Sequence, residues 1–258
     1  AIPCFNPTEA IAELDHAVGT LGLKAAMFSG VIARKFPGAE NVRGANWMDT
    51  LCHDSDYDYD PLWRRCEELG VPITFHASGQ GWGTRMSRTN YVYNHIGNFA
   101  VAGEAACRSL FFGGVAQRFP KLRFGFLEGG VAWAANLFSD ILGHFEKRNV
   151  EAIGHYDPKA LDRAELERLI ETHAPKAVRR VLDRLDDALL MLSDPDEDRA
   201  QLDEFASCRI HSTEDIRTLF EQRFFFGCEA DDPMNAIAFD RAKIPMGARL
   251  RAVFASDI

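Results

Sequence analysis

Short apolar runs recur along this chain, and most follow a segment whose apolar residues have helical spacing. The runs lie at residues 23–28, 71–75, 122–127, 223–227 and 251–255, with a fragment at 1–5. Their length and their content of β-branched and aromatic residues are typical of buried strands. Because helices and strands alternate, the sequence predicts an α/β fold with a parallel sheet.

Two stretches depart from this alternation. Residues 31–60 predict a long connection that ends in an acidic loop. Residues 149–222 are charged and have helical spacing, although connections in α/β domains are usually only a few residues long. We therefore expect a single domain over residues 1–258, with a helical insertion at about 149–222.

Composition narrows the class of protein. With 258 residues, 47% of them hydrophobic, the chain can bury the core of one large domain. A net charge of −9 argues against nucleic-acid binding, and no apolar run is long enough to cross a bilayer. Six scattered cysteines without a C-x-x-C pair are typical of reduced thiols in the cytosol. We expect a cytoplasmic protein with no nucleic-acid or membrane partner.

Polar residues follow several of the predicted strands. His76, Glu128 and Asp257 stand at three strand ends, and Glu229 is a weaker fourth candidate. In a (β/α)8 TIM barrel such ends converge on one mouth, whereas a doubly wound open sheet places them along a crevice. We predict the barrel. Since the sequence shows only six strands of the eight, we expect that the first strands and the last helix are missing from this chain.

The three strand-end side chains suggest a metal site. An imidazole and two carboxylates at one mouth suit a divalent cation, with zinc preferred and manganese or iron as alternatives. The other interpretation is three unrelated side chains that cap strands by hydrogen bonding. No closely spaced metal motif such as H-E-x-x-H is present.

Four further residues are candidates for contact with a small-molecule substrate. Arg85 and His95 lie in a glycine- and amide-rich segment that follows the strand ending at His76, where they suit a polar group of a substrate. Trp82 and Trp133 suit an apolar wall. The same four residues fit equally well as ordinary surface or core side chains.

Three blocks of the sequence carry a family resemblance. They are residues 69–76 (LGVPITFH), 119–130 (FPKLRFGFLEGG) and 254–257 (FASD). The chain resembles the amidohydrolase-related family, in the branch of aminocarboxymuconate-semialdehyde decarboxylase and related aromatic-acid decarboxylases and hydrolases. The match covers the chain apart from the insertion. This resemblance implies a (β/α)8 barrel with one divalent metal ion at its carboxyl mouth.

The resemblance also implies roles for the strand-end residues. His76 resembles the family's metal-binding histidine of strand five, and Asp257 resembles the aspartate of strand eight, which binds metal and shuttles a proton. Glu128 occupies the strand-six position, where the decarboxylases carry a histidine and some members carry glutamate. The family's strand-one H-x-H pair has no counterpart here, in line with missing first strands. Met27-Phe28 offers no lysine for a two-metal centre, so we expect one metal ion.

Three functions follow from these residues. The first is a metal-dependent hydrolase, in which a metal-activated water attacks a small carboxylated or cyclic substrate; Asp257 takes the proton and Glu128 holds metal or water. The second is a non-oxidative decarboxylase (carboxy-lyase) of an aromatic or unsaturated acid at the same site. The third is a catalytically silent barrel used for binding. From the family and the insertion, we also expect a homodimer.

Overall fold

The structure, a computed structural model, describes residues 1–76, 83–192 and 203–255. The strands are β1 (Ala26–Phe28), β2 (Ile32–Lys35), β3 (Asn46–Asp49), β4 (Ile73–Phe75), β5 (Phe124–Phe126), β6 (Phe224–Glu229) and β7 (Arg251–Ala255). The α-helices are α1 (Pro7–Asp15), α2 (Asp60–Leu69), α3 (Tyr91–His95), α4 (Asn98–Phe112), α5 (Val115–Arg118), α6 (Ala132–Arg148), α7 (Arg163–His173), α8 (Lys176–Arg179), α9 (Leu185–Leu192), α10 (Glu204–Ser207), α11 (Thr213–Gln222) and α12 (Ala236–Phe239). Short π- or 3-10-helical turns lie at His16–Thr20, Gly83–Arg85, Ala152–Tyr156, Pro158–Ala160, Leu182–Arg184, Pro233–Asn235 and Pro245–Gly247.

Five strands form one parallel sheet in the order β1-β4-β5-β6-β7. Ile2 adds an isolated parallel bridge to Phe28 at the β1 edge. A doubly wound sheet reverses its strand order at a switch point, and these five strands do not. Their consecutive order is that of adjacent barrel strands, which confirms the predicted α/β barrel class. Within the described residues, the sheet does not close on itself.

A row of phenylalanines forms one face of this sheet. Phe28, Phe75, Phe126 and Phe226 are partners in register, and all four are buried. Phe75 and Phe126 stack with ring centroids 5.7 Å apart and an interplanar angle of 16°. Helix α2 packs on this face through Trp63, whose ring stands edge-on to Phe28 at 5.7 Å. This packing fixes the strands side by side and thereby positions the residues at their carboxyl ends.

The path of the chain into β4 is set by the end of α2. Gly70 follows the helix with φ 65°, and its backbone N–H donates to the carbonyl oxygens of Cys66 and Glu67. Glycine adopts this left-handed conformation at little cost, so it is the preferred residue just past a helix end. The turn sends the chain directly into β4, with Ile73 and Phe75 buried.

The long connection predicted over residues 31–60 includes an element that the sequence did not predict. This segment contains an antiparallel hairpin, in which β2 and β3 pair from Ile32 with Asp49 to Lys35 with Asn46. The Arg34 guanidinium donates to the buried carboxylate of Asp49 across the hairpin. The hairpin is therefore held by a partly buried ion pair as well as by its backbone.

The chain divides into two compact units, His144–Ala206 and the remainder. Within the smaller unit, Phe145 stands edge-on to Phe205, with ring centroids 5.1 Å apart, and Arg163 donates to Glu167 at 2.8 Å. The predicted insertion at about 149–222 overlaps this helical unit, whereas α11 groups with the larger one. The single-domain description and the insertion boundaries stay predictions.

Two further observations concern membrane-spanning helices and the cysteines. Among the described residues, no helix combines the length and apolar content needed to cross a membrane. All six cysteines lie in the described part of the chain, and all are free thiols.

Candidate functional site

His76 is the first residue after β4 and lies at the carboxyl end of that strand. Its backbone N–H donates to the carbonyl oxygen of Phe28 at 3.0 Å, which continues the pairing with β1. The side chain is 30% exposed, so the imidazole is sheltered but accessible to a ligand. This is the placement that the sequence predicts for it.

Glu128 lies at the corresponding place on the neighbouring strand, two residues after β5. Its side chain is also 30% exposed, and its Oε1 lies 3.2 Å from Nε2 of His76. The two residues are 52 positions apart in sequence, yet adjacent parallel strands bring them into contact. The structure thus brings together two of the three predicted metal ligands.

The backbone of Glu128 has φ 58°, in the left-handed region that side chains larger than glycine rarely adopt. A conformation of this kind costs on the order of 1–3 kcal/mol and persists where its surroundings fix it. The next residue, Gly129, has no room for a side chain: a Cβ there would lie 2.9 Å from Nε1 of Trp133 and 3.2 Å from Cα of Ala100. Tight packing of this turn therefore holds the carboxylate of Glu128 toward His76.

The His76–Glu128 geometry fits two ligands of one cation. Ligand atoms that each lie about 2.0–2.2 Å from a metal ion, at an angle of roughly 90–110°, are about 2.8–3.6 Å apart. The observed 3.2 Å falls within this range. No cluster of three or more histidine, cysteine or carboxylate groups suited to a metal lies within residues 1–76, 83–192 and 203–255. Asp257, the third predicted ligand, lies outside the described residues.

Phe99, in the first turn of α4, contacts His76 from another side. The two ring centroids are 5.0 Å apart with an interplanar angle of 70°. The imidazole of His95 packs on the same phenylalanine at 5.3 Å, and Tyr91 stacks on His95 at 5.2 Å. Phe99 therefore links the two histidines, and His95 reaches the His76 site through an aromatic contact.

The remaining predicted substrate contacts differ in placement. The guanidinium of Arg85 donates to the carbonyl oxygen of Ile96, at the junction of α3 and α4. Trp133 is partly buried and stands edge-on to Phe126 at 5.6 Å and to Phe226 at 5.3 Å, which is the packing of a core residue. Trp82 lies outside the described residues. Substrate contact by any of these side chains stays a prediction.

A cavity of about 570 Å³ adjoins His76. The end of β1, the β2–β3 hairpin, α4 and the first residues of the chain contribute to its mainly apolar lining, which includes Met27, Ser29, Ala33, Met48 and Ala102. Sequence reasoning missed this cavity because it missed the hairpin. Gly38 and Gly44, both with positive φ between the two hairpin strands, are the sequence signal that points to a turn there.

Parallel strands in consecutive order, with an imidazole and a carboxylate in contact near neighbouring carboxyl ends, define an α/β protein of the barrel class. The chain belongs to the amidohydrolase family, whose sequence pattern matches residues 1–189. The family resemblance drawn from the sequence is thereby confirmed. A search of curated proteins found no match.

Solved structures with a similar fold include a 2,6-dihydroxybenzoate decarboxylase from Rhizobium, 16% identical with a TM-score of 0.51. The alignment covers 99% of this chain and 58% of that one. A dihydroxybenzoic acid decarboxylase from a Polaromonas species, with bound manganese and the inhibitor 2-nitroresorcinol, is 14% identical with a TM-score of 0.47, over 100% of this chain and 57% of that one. The chain thus spans less than two thirds of the length of either structure.

Proposed function

We propose that this chain is a metal-dependent hydrolase that acts on a small carboxylated or cyclic substrate. The observation that carries the proposal is the 3.2 Å contact between Nε2 of His76 and Oε1 of Glu128 at neighbouring strand ends. Membership of the amidohydrolase family supports it independently.

In this proposal His76, Glu128 and Asp257 hold one divalent cation, with zinc preferred and manganese or iron as alternatives. When bound, the cation acts as a Lewis acid that activates water and polarises the substrate. Glu128, fixed by its packed turn, orients the attacking water, and Asp257 accepts the proton. A general base of this kind contributes on the order of 10²–10⁴ in rate.

The surrounding residues have secondary roles in the proposal. His95 lies one aromatic contact away from His76, so we place it at the rim, where it meets a polar part of the substrate. Arg85, Trp82 and Trp133 remain predicted substrate contacts. Homodimerisation and a cytoplasmic location also remain predictions.

Decarboxylation at the same residues is the second candidate. In this reaction the substrate carboxylate binds at the site, and Asp257 donates a proton to the carbon that loses CO2. The 2,6-dihydroxybenzoate decarboxylase of similar fold named above motivates this alternative. Product analysis in 18O-labelled water separates the two reactions, because hydrolysis incorporates the label into the organic product, whereas decarboxylation leaves the organic product unlabelled.

The test of the metal site itself is elemental analysis of the chain after purification without chelator. We expect about one equivalent of zinc, manganese or iron, retained in a His53→Ala control and lost in His76→Ala. His53 is a matched control because it is an exposed histidine in the loop after β3, where its Nε2 lies 3.4 Å from a carboxylate oxygen of Asp54. Less than half an equivalent in the parent chain would favour the silent barrel, and full metal content in His76→Ala would refute the site.

A further inference from the structure

The cavity beside His76 has the size and lining of a ligand site. Its volume of about 570 Å³ lies within the roughly 300–1,000 Å³ typical of small-molecule pockets. Met27 lies in β1, and Ala33 and Met48 are partners across the β2–β3 hairpin. These residues and His76 line one continuous space, so a ligand in it lies against the proposed reaction site.

Most side chains that line the cavity are apolar, which disfavours a strongly polar occupant. Among the described lining residues, His76 is the only one with a side chain that can carry a charge near neutral pH, and Ser29 supplies the only hydroxyl. The neighbouring Arg34 is engaged elsewhere: besides its bond to Asp49, it donates to the Phe5 carbonyl oxygen at 3.0 Å and to the Tyr59 hydroxyl at 2.8 Å. A ring bearing several hydroxyl groups would leave most of them unpaired there, which is unfavourable.

The walls of the cavity combine a fixed side with an adaptable one. Val31, Ala102 and Ala105 form a buried apolar cluster, against which Met48 packs. Met27, which also lines the cavity, is 38% exposed in β1. Methionine side chains are flexible and polarizable, so they adjust to hydrocarbon groups of different shapes.

We infer that this cavity binds the uncharged hydrocarbon part, an alkyl chain or unsubstituted ring, of a substrate whose reacting group lies at His76. The inference deepens the proposed function and rests on it for the position of the reacting group. It assigns the substrate class as small acids with an apolar body, and it places the apolar body between the hairpin and the end of β1.

Binding of straight-chain alcohols, from butanol to octanol, tests the cavity without requiring a metal ion. By calorimetry, we expect affinity to rise about fourfold for each added methylene until the cavity is filled. The affinity for octanoate should be at least about tenfold higher than that for 8-hydroxyoctanoate, because the terminal hydroxyl would lie unpaired among apolar groups. Affinity that does not change with chain length would overturn the inference.

Ala33→Phe is the variant that locates the binding. Ala33 is exposed on β2 and lines the cavity, so a phenyl ring at this position fills the space without disturbing the core. We expect it to abolish the chain-length dependence, whereas Ala39→Phe, in the same hairpin but outside the lining, preserves it. If the dependence survives Ala33→Phe, the alcohols bind elsewhere and the inference is wrong.

The matching series of carboxylates, measured with and without manganese, tests the proposed function separately. We expect manganese to tighten binding of the carboxylates but not of the alcohols, and His76→Ala to remove this difference. An intact alcohol series without any manganese effect on the carboxylates would overturn the metal site and still support the cavity.

Discussion

Phe99 presents its ring nearly perpendicular to the imidazole of His76, with the two centroids 5.0 Å apart. Glu128 contacts the Nε2 atom of the same imidazole at 3.2 Å. His76 is thus restrained by an aromatic contact and by a polar contact from two different elements, α4 and the turn after β5. A ligand group restrained in this way loses little freedom when it binds a cation, which strengthens binding.

The Phe99→Ala variant should therefore weaken metal binding without abolishing it. An aromatic pair contributes about 0.5–1.5 kcal/mol, so we expect manganese affinity to fall about 2- to 12-fold. Phe99→Tyr keeps the ring and should retain the parent affinity. The measurement is a manganese titration at low temperature, where both variants are folded. A loss of thermal stability with unchanged affinity in Phe99→Ala would show that Phe99 only supports the fold.

Because the backbone of Glu128 is left-handed, we predict that one substitution there raises the stability of the fold and lowers its metal content. Asparagine tolerates positive φ better than glutamate, so Glu128→Asn should raise the free energy of unfolding by about 0.5–1 kcal/mol. Asparagine is shorter and carries an amide in place of the carboxylate. The contact with Nε2 of His76 is therefore lost, and the metal content should fall. Glu128→Gln is the control, because it loses the charge and keeps the unfavourable backbone. Equal stability of the two variants would show that φ 58° stores no strain.

The sequence predicts the parallel sheet and two of its polar strand ends because those features follow from local patterns. The apolar runs before His76 and Glu128 identify β4 and β5, and consecutive order in the sheet then places both residues at one edge. The hairpin within residues 31–60 gives a weaker signal: Gly38 and Gly44 indicate a turn, but the four-residue strands on either side lack a clear alternation of apolar and polar residues. The cavity beside it forms only when segments distant in sequence come together, and no local pattern encodes that event.

Positions within the site depend on tertiary packing in the same way. Phe99 and Trp133 are both aromatic residues on helices. The sequence alone does not tell which of them lines the site and which packs in the core. In the structure Phe99 contacts His76, whereas Trp133 packs between Phe126 and Phe226. The strained turn at Glu128 is equally hidden, because the double glycine after it indicates a turn but not the φ of the residue before.

The ion pair between Arg34 and Asp49 predicts a large effect of a single change in the hairpin. Asp49 is fully buried and also accepts hydrogen bonds from the Leu51 backbone N–H at 2.8 Å and from the Ser55 hydroxyl at 2.9 Å. Arg34→Met leaves this carboxylate buried without its cation, which should lower the free energy of unfolding by about 3–5 kcal/mol. The measurement is the midpoint and slope of urea-induced unfolding.

The double variant Arg34→Met/Asp49→Asn is the control for that prediction. The amide of asparagine is neutral and still accepts a hydrogen bond from the Leu51 backbone N–H, so the second change should recover part of the lost stability. A double variant less stable than Arg34→Met alone would show that the charge of Asp49 is not what destabilises the single variant.

Buried thiols predict a loss of stability at alkaline pH. Burial raises the pKa of Cys4 and of Cys66 from an ordinary 9.0 to about 12. The unfolded chain therefore releases these protons at lower pH than the folded chain does. The stabilisation is fully present below pH 9 and is lost as pH rises from 9 toward 12, by up to about 1.4 kcal/mol per thiol for each pH unit.

Urea unfolding at pH 8, 9, 10 and 11 measures this slope, and thiolate absorbance near 240 nm reports the ionisation directly. Cys66→Ala is the matched variant, because Cys66 is fully buried and its replacement removes one titrating group. Its unfolding free energy should fall less steeply above pH 9 than that of the parent chain, by the contribution of one thiol. Parallel slopes for the two chains would show that another group causes the alkaline loss of stability, since only the Cys66 proton distinguishes them over this range.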